Sequence, residues 1–401
     1  MADKDGRQQP GGGADHAATL RQALEHHRAG RLAEAARLYR HILDNDPDNA
    51  EAMNLLGVAA LQTGRPDEAL RLIGAAVDIH GNNPQYLNNL GEAYRALGRF
   101  SDAGDCYRRA IAINPGDAAP HNNLGNALAA AGEADSAAAS YRSALSIEPN
   151  DPEVLTNLGA VLCEDGKPAE AVVEFERAIA IEGGFAPAHV NLGRAFKDLG
   201  RLADAEAACR RAIQLQPDYA DAHVGLGNAL MTQGRLEEAA AGYRRAIVLE
   251  PENLSAHTNL GNILQELGEF TEAIACQRRA VAIDPDHAAA HYNLGNALLL
   301  NGDLKEGWLE HEWRWQMEDM EKKRDFPQPA WSGEDVAGKT VLVWAEQGVG
   351  DEVLYAGMVP DLVGRGARVV LECERRLLPL FERSFKGVAC VVKQTPPAAE
   401  T

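Results

Sequence analysis

Primary amides recur along this chain at a fixed interval. Asn89, Asn123, Asn157, Asn191, Asn259 and Asn293 stand 34 or 68 residues apart, and Asn126, Asn228, Asn262 and Asn296 follow the same beat three residues later. A carboxamide carries two N–H donors and a carbonyl acceptor. A row of carboxamides can therefore pair with the backbone of an extended polypeptide without reading its side chains. The same amides can instead bond between neighbouring units of the fold, and the residues alone leave both readings open. A second group is Gly348, Gly350 and Asp351, directly behind the apolar run Thr340 to Trp344. A Gly-x-Gly-Asp turn at the end of a strand is where parallel α/β sheets bind ligands. It falls short of the full dinucleotide fingerprint, and an aspartate there can equally cap a helix.

Other reactive side chains point elsewhere. His121, His189, His223, His257 and His291 share the beat of the asparagines. They are a unit or more apart, too far to share a metal, and read as packing residues. Arg108-Arg109, Arg210-Arg211, Arg244-Arg245 and Arg278-Arg279 read as a solvated helix face. Cys106, Cys163, Cys209, Cys276, Cys373 and Cys390 form no C-x-x-C and no metal spacing, which fits a reduced compartment. A formal net charge of −20 argues against nucleic acid and anionic membrane surfaces as partners. The polar start lacks the apolar stretch of a signal peptide, and no run reaches the roughly 18 apolar residues of a spanning helix. The expected location is the cytoplasm.

The elements that position the amides follow from the same interval. Gly57, Gly91, Gly125, Gly159, Gly193, Gly227, Gly261 and Gly295 are 34 residues apart. A glycine series from Gly30 to Gly302 and an alanine series from Ala35 to Ala273 keep the same phase, and Pro47, Pro115, Pro149, Pro217, Pro251 and Pro285 close most units. Counting each unit so that the first glycine is position 8, unit 1 starts at His16, unit 2 at Ala50 and unit 9 at Ala288. Positions 4, 7, 8 and 11 then form the buried stripe of a first helix. Glycine at 15 makes the turn, and alanine at 20 sits where the second helix packs tightest. This pattern resembles the tetratricopeptide repeat. It predicts a mostly helical, superhelical solenoid of nine repeats over 16–320, behind a disordered start at 1–15. One unit cannot bury its own apolar face, so units stack and leave a concave surface. Positions 2, 6, 9 and 13 lie opposite the stripe, which resemblance to such repeats assigns to the groove. Position 5 lacks the lysine of repeats that grip acidic C-termini.

The period ends after Gly302. All five tryptophans lie beyond it, and the run Gly307 to Trp315 reads as a cap on the last repeat. Residues 321–337 read as a linker. From 338 to 401 short apolar runs at 340–344, 368–373 and 388–392 alternate with helical patterns at 354–362 and 375–385, which implies a partial, Rossmann-like α/β segment. An amide-bearing repeat array, a tryptophan-rich junction and the run Ala345-Glu346-Gln347-Gly348-Val349-Gly350-Asp351 together resemble bacterial repeat proteins with a glycosyltransferase domain of the heptosyltransferase or O-GlcNAc transferase type. That resemblance implies Asp351 as the remnant of a base that activates an acceptor hydroxyl. The family's sugar-nucleotide half has no counterpart here, so the chain reads as C-terminally truncated and inactive alone, with no cofactor. The expected function is a scaffold that binds a protein or peptide. Glycosyl transfer and self-association are the alternatives.

Overall fold

The computed structural model describes residues 12–317, 328–344 and 348–393. They fall in two compact units, 1–320 and 321–401. In the first unit the helices come in pairs at the predicted interval. The first helix of repeat 1 is Gly12–Arg28, and those of repeats 2 to 9 run from Ala50–Gln62 to Ala288–Asn301. Second helices run from Leu32–Asn45 to Phe270–Ile283, and the ninth, Leu304–His311, is cut short. Helical structure begins at Gly12, ahead of the expected start of the repeats.

Local signals place these helices. Asn49, Asn83, Asp117, Asp151, Asn253 and His287 occupy the last position of a unit, and each side chain accepts a backbone N–H of the following first helix. Such a cap contributes about 1 kcal/mol. The glycines at position 15 all adopt a left-handed backbone, with φ between 70° and 93°, which is where the chain reverses between paired helices.

Packing explains the glycines at position 8. A methyl group at Gly125 would lie 2.5 Å from the Tyr141 ring, and one at Gly159 2.5 Å from the Phe175 ring. An aromatic ring of the second helix thus lies flat on the bare backbone of the first. The buried arc is wider than the predicted stripe, because positions 3 and 10 are also buried: Ala93, Ala195 and Ala297 at position 10 are 0% exposed. From repeat 2 onward each first helix packs against its own second helix and against that of the preceding repeat, so two sides of it are covered.

The last repeat ends in a 3-10 turn, Glu312–Gln316, which packs on the first helix of repeat 9. Trp313 stacks on His291 with ring centres 3.9 Å apart. The tryptophan-rich run does act as a cap on that helix.

The second unit contains a three-stranded parallel sheet in the order β1 (Thr340–Val343), β2 (Arg368–Cys373), β3 (Ala389–Val392). The strands lie where the apolar runs put them. The single helix expected through Leu354 and Leu362 is two, Val349–Ala356 and Val359–Gly364, with the break at Gly357. The last helix is Leu378–Ser384, shorter than expected because Glu374 to Leu377 form a turn.

Candidate peptide-binding groove

Curvature decides which face of the repeats is concave. From repeat 2 onward neighbouring first helices touch one another, whereas neighbouring second helices make no comparable contact among the described residues. The first helices therefore line the inside of the curve. On them, position 2 is mostly exposed, position 13 is exposed, and positions 6 and 9 are half-buried in nearly every repeat. The amide series faces inward at the depth of a groove floor.

Several of these amides bond to one another across repeats. Asn89 Nδ2 donates to Asn54 Oδ1 at 3.0 Å, and Asn123 Nδ2 to Asn88 Oδ1 at 3.0 Å. Asn157 Nδ2 donates to Asn126 Oδ1 at 3.3 Å, and Asn259 Nδ2 to Asn228 Oδ1 at 3.1 Å. Each bond links one repeat to the next. Asn191 differs, since its Nδ2 donates to Pro187 O in its own helix, 3.1 Å away.

The position 9 amides face partly away from the groove. Tyr141 Oη donates to Asn126 Oδ1 at 2.8 Å, and Tyr243 Oη to Asn228 Oδ1 at 2.7 Å. Each carbonyl thus joins its own second helix to the next repeat's first helix. In repeat 3 the same place holds Glu92, which accepts from Tyr107 Oη at 2.5 Å and pairs with Arg95. The sequence reading missed these tyrosines at position 24. Their signal was available, because Tyr39, Tyr107, Tyr141 and Tyr243 keep the 34-residue beat.

In repeat 8 this place is Gln277, which is fully buried. Its Nε2 bonds Thr258 O and Asn262 Oδ1, each at 3.0 Å, and its Oε1 has no partner among the described residues. A buried unpaired carbonyl costs about 1–3 kcal/mol. Gln277→Tyr, which copies Tyr243, is expected to raise the unfolding free energy by about 1 kcal/mol in a urea titration.

Burial, reinforced by Glu51, pushes the Tyr39 phenol up to about 12. Burial also raises the phenols of Tyr107, Tyr141 and Tyr243. An unfolded tyrosine ionises near pH 10. Because the folded values are higher, these residues favour the folded state fully below about pH 10; Tyr39 ceases to do so as the pH climbs through about 12, and the other three do so at still higher pH. Thermal midpoints should stay level to pH 9 and drop steeply above 10. A midpoint unchanged at pH 11.5 would contradict this account.

Of the position 4 histidines, His189, His257 and His291 are buried as expected, whereas His121 and His223 are half-buried, and four of the five also bond. His189 Nε2 pairs with Gly183 O at 3.3 Å, and His223, His257 and His291 pair with Pro217 O, Pro251 O and Pro285 O, each at 3.0 Å. They tie each first helix to the loop before it. Of the arginine pairs, Arg244 reaches Glu272 at 3.1 Å and Arg278 reaches Glu306 at 2.8 Å in the following repeat. Exposed pairs like these add at most about 1 kcal/mol each.

In the second unit Gly348 is the N-cap, so Asp351 lies in the helix's first turn and is not its cap. Its charge there suits the helix dipole. Gly350 is the second residue of the same helix. Ala345, Glu346 and Gln347 of the run lie outside the described residues. The buried residue the sequence reading overlooked is Glu352, whose Oε2 accepts the Glu374 N–H at 2.9 Å and so ties helix to strand end. Among the described residues no cluster of His, Cys, Asp or Glu could hold a metal, and no helix is long and apolar enough to cross a membrane.

Comparison with known proteins bears on the repeats. Models of the TPR repeat match 91–132, 125–166 and 261–302, and other tetratricopeptide-repeat models match 26–92, 162–212, 190–255 and 243–275. Protein FlbA of Caulobacter vibrioides is 41% identical over 98 residues, 23% of this chain and 16% of FlbA's own length. A tetratricopeptide-repeat protein from Parabacteroides merdae superposes with a TM-score of 0.53 at 17% identity, over 63% of this chain and all of that one. Cut9–Hcn1 of the APC/C superposes at 0.52 with 18% identity, over 67% of this chain and 52% of that one. At these identities the two structures speak for the fold alone. Taken together, the repeat models run unbroken from residue 26 to 302, and the chain belongs to the tetratricopeptide-repeat family.

Proposed function

We propose that the repeat unit is a scaffold that holds an extended polypeptide along its inner face, on the asparagines at position 6. One observation carries this reading. Asn89, Asn123 and Asn157 each spend a single N–H on the neighbouring repeat, which fixes the plane of the amide. Among the described residues the second N–H and the carbonyl of each have no other partner and are left for a ligand. That pair matches the N–H and C=O of a peptide unit, and prior fixing lowers the entropy cost of binding. Asn191, Asn259 and Asn293 extend the row, with Asn126, Asn228, Asn262 and Asn296 beside it. The test is affinity selection of random peptides by the whole chain, followed by removal of the position 6 amides. Selection of no peptide counts against the scaffold.

Glycosyl transfer has one observation in its favour, the parallel strands with Gly348, Gly350 and Asp351 behind β1. Turnover of a nucleotide sugar by the chain, abolished in Asp351→Asn, is the result that would establish it.

A further inference from the structure

The position 6 amide row breaks at Gly225 in repeat 7, and the break, together with its neighbours in repeat 6, has its own chemistry. Position 5 is Val190 in repeat 6 and Val224 in repeat 7, where repeats 2 to 5 have Asn54, Asn88, Asn122 and Thr156. Position 6 of repeat 7 is Gly225, and position 9 of repeat 6 is Arg194. In repeats 2 and 3 the position 5 side chain is covered by the next repeat's position 6 amide, as Asn89 covers Asn54 and Asn123 covers Asn88. Gly225 has no side chain to lay over Val190. A methyl group at Gly225 would lie 3.7 Å from Val190 Cγ1 and 3.0 Å from the buried Cys209 Sγ. The first helices of repeats 6 and 7 accordingly make the most extensive contact of any neighbouring first helices. Val190 and Val224 are half-buried, packed on the alanines of the repeat junctions, and their remaining surface beside the half-buried Gly225 is aliphatic.

A second observation stands beside it. Arg194 is one helical turn from Val190 and on the same face. Arg95 and Lys197, the other cations near the floor in repeats 2 to 9, pair with Glu92 and Asp198. Arg194 reaches the Cys163 thiol, beside which Asp198 and Glu164 also lie, and it forms no ion pair among the described residues. It is exposed, in a chain with a net charge of −20.

We infer that repeats 6 and 7 are the specificity-determining part of the groove, where an extended peptide lays an aliphatic side chain on Val190, Gly225 and Val224 and sets a neighbouring carboxylate against Arg194. This rests on the scaffold reading. It adds that the scaffold does not accept every backbone equally. The amides on either side hold the chain, and this stretch chooses its register.

The chain itself supplies the substitutions for a test. Threonine at position 5 is native in repeats 5 and 8, where Thr156 and Thr258 bond the carbonyl four residues back at 2.7 and 2.9 Å. Asparagine at position 9 is native in repeats 4, 7, 8 and 9. Val190→Thr and Arg194→Asn therefore change the chemistry with residues this fold already uses, and Val190→Ala is a second route if the first variant loses helix. The whole chain is used to select phage-displayed random 12-residue peptides, and a selected peptide is then measured by fluorescence anisotropy. The expected consensus is an aliphatic residue next to Asp or Glu. Val190→Thr should weaken that peptide at least fivefold and leave its aliphatic-to-Ala version unchanged. Arg194→Asn should abolish the preference for the carboxylate over its amide and flatten the salt dependence. Peptides selected without this motif, or variants that weaken all peptides alike, would overturn the inference and leave the scaffold standing. No peptide selected at all would overturn both. Concentration-dependent dimers lost in the same variants would assign the floor to a second copy of the chain and overturn the peptide assignment.

Discussion

Gly295→Ala is expected to unseat the end of the repeat array. Its methyl group would lie 2.6 Å from His311 N, 2.9 Å from His311 Cα and 3.0 Å from Glu310 C. These are backbone atoms, with no side-chain torsion to turn aside. At Gly159 the obstacle is the Phe175 ring, which has at least a rotamer to adjust. Overpacking of this kind costs about 1–3 kcal/mol, and the rigid obstacle places Gly295 at the upper end. The loss should be local. The displaced segment carries Glu310, whose carboxylate meets His291 Nδ1 at 2.5 Å, and leads into Trp313, stacked on the same ring. Nearest-neighbour coupling confines the damage to the last repeats. Tryptophan emission should therefore shift to longer wavelength at a lower temperature than the main loss of helix, since Trp308, Trp313 and Trp315 all lie in this region. Coincident transitions with wild-type midpoints would show that the backbone contact is not what the geometry implies.

The periodic part of this chain was legible because each repeat solves the same packing problem, so identical residues recur at identical places. Glycine at 8, glycine at 15 and alanine at 20 each answer a steric demand strong enough to exclude other residues. The partners of the amides were less legible. Whether Asn157 bonds Asn122 or Asn126 depends on the rotation between adjacent repeats, which no single helical wheel contains. The bond to Asn126 is chosen where Tyr141 already turns that carbonyl toward it. The histidines show the same limit, because position 4 was correctly placed in the packed face while the carbonyl it bonds belongs to the preceding loop. In the second unit the strands were readable from their apolar runs, and the role of Glu352 was not, since its partner, the Glu374 amide, lies beyond the next helix and a strand.

These ties reshape the strongest prediction for the groove. The joint change Asn123→Ala, Asn157→Ala, Asn191→Ala and Asn259→Ala removes four ligand-facing amides. At a net of about 0.5–1.5 kcal/mol per hydrogen bond it should cost about 2–6 kcal/mol of peptide affinity if the terms add. That is a weakening of at least about thirtyfold, enough to abolish most micromolar binding. Three of the four also remove a bond between repeats, from Asn123 to Asn88, Asn157 to Asn126 and Asn259 to Asn228. The quadruple variant should therefore melt lower as well, and a fall in affinity alone would not separate holding a peptide from holding the groove in shape. Asn191 separates them. Its Nδ2 bonds only within its own helix, so Asn191→Ala breaks no junction between repeats. It should leave the melting temperature within about 1 °C of wild type, as changes that touch no structural tie generally do. A peptide selected by the wild-type chain should nevertheless bind it several-fold more weakly. Full affinity in Asn191→Ala, together with lost affinity only in variants that also melt early, would reduce the amide row to a set of structural ties.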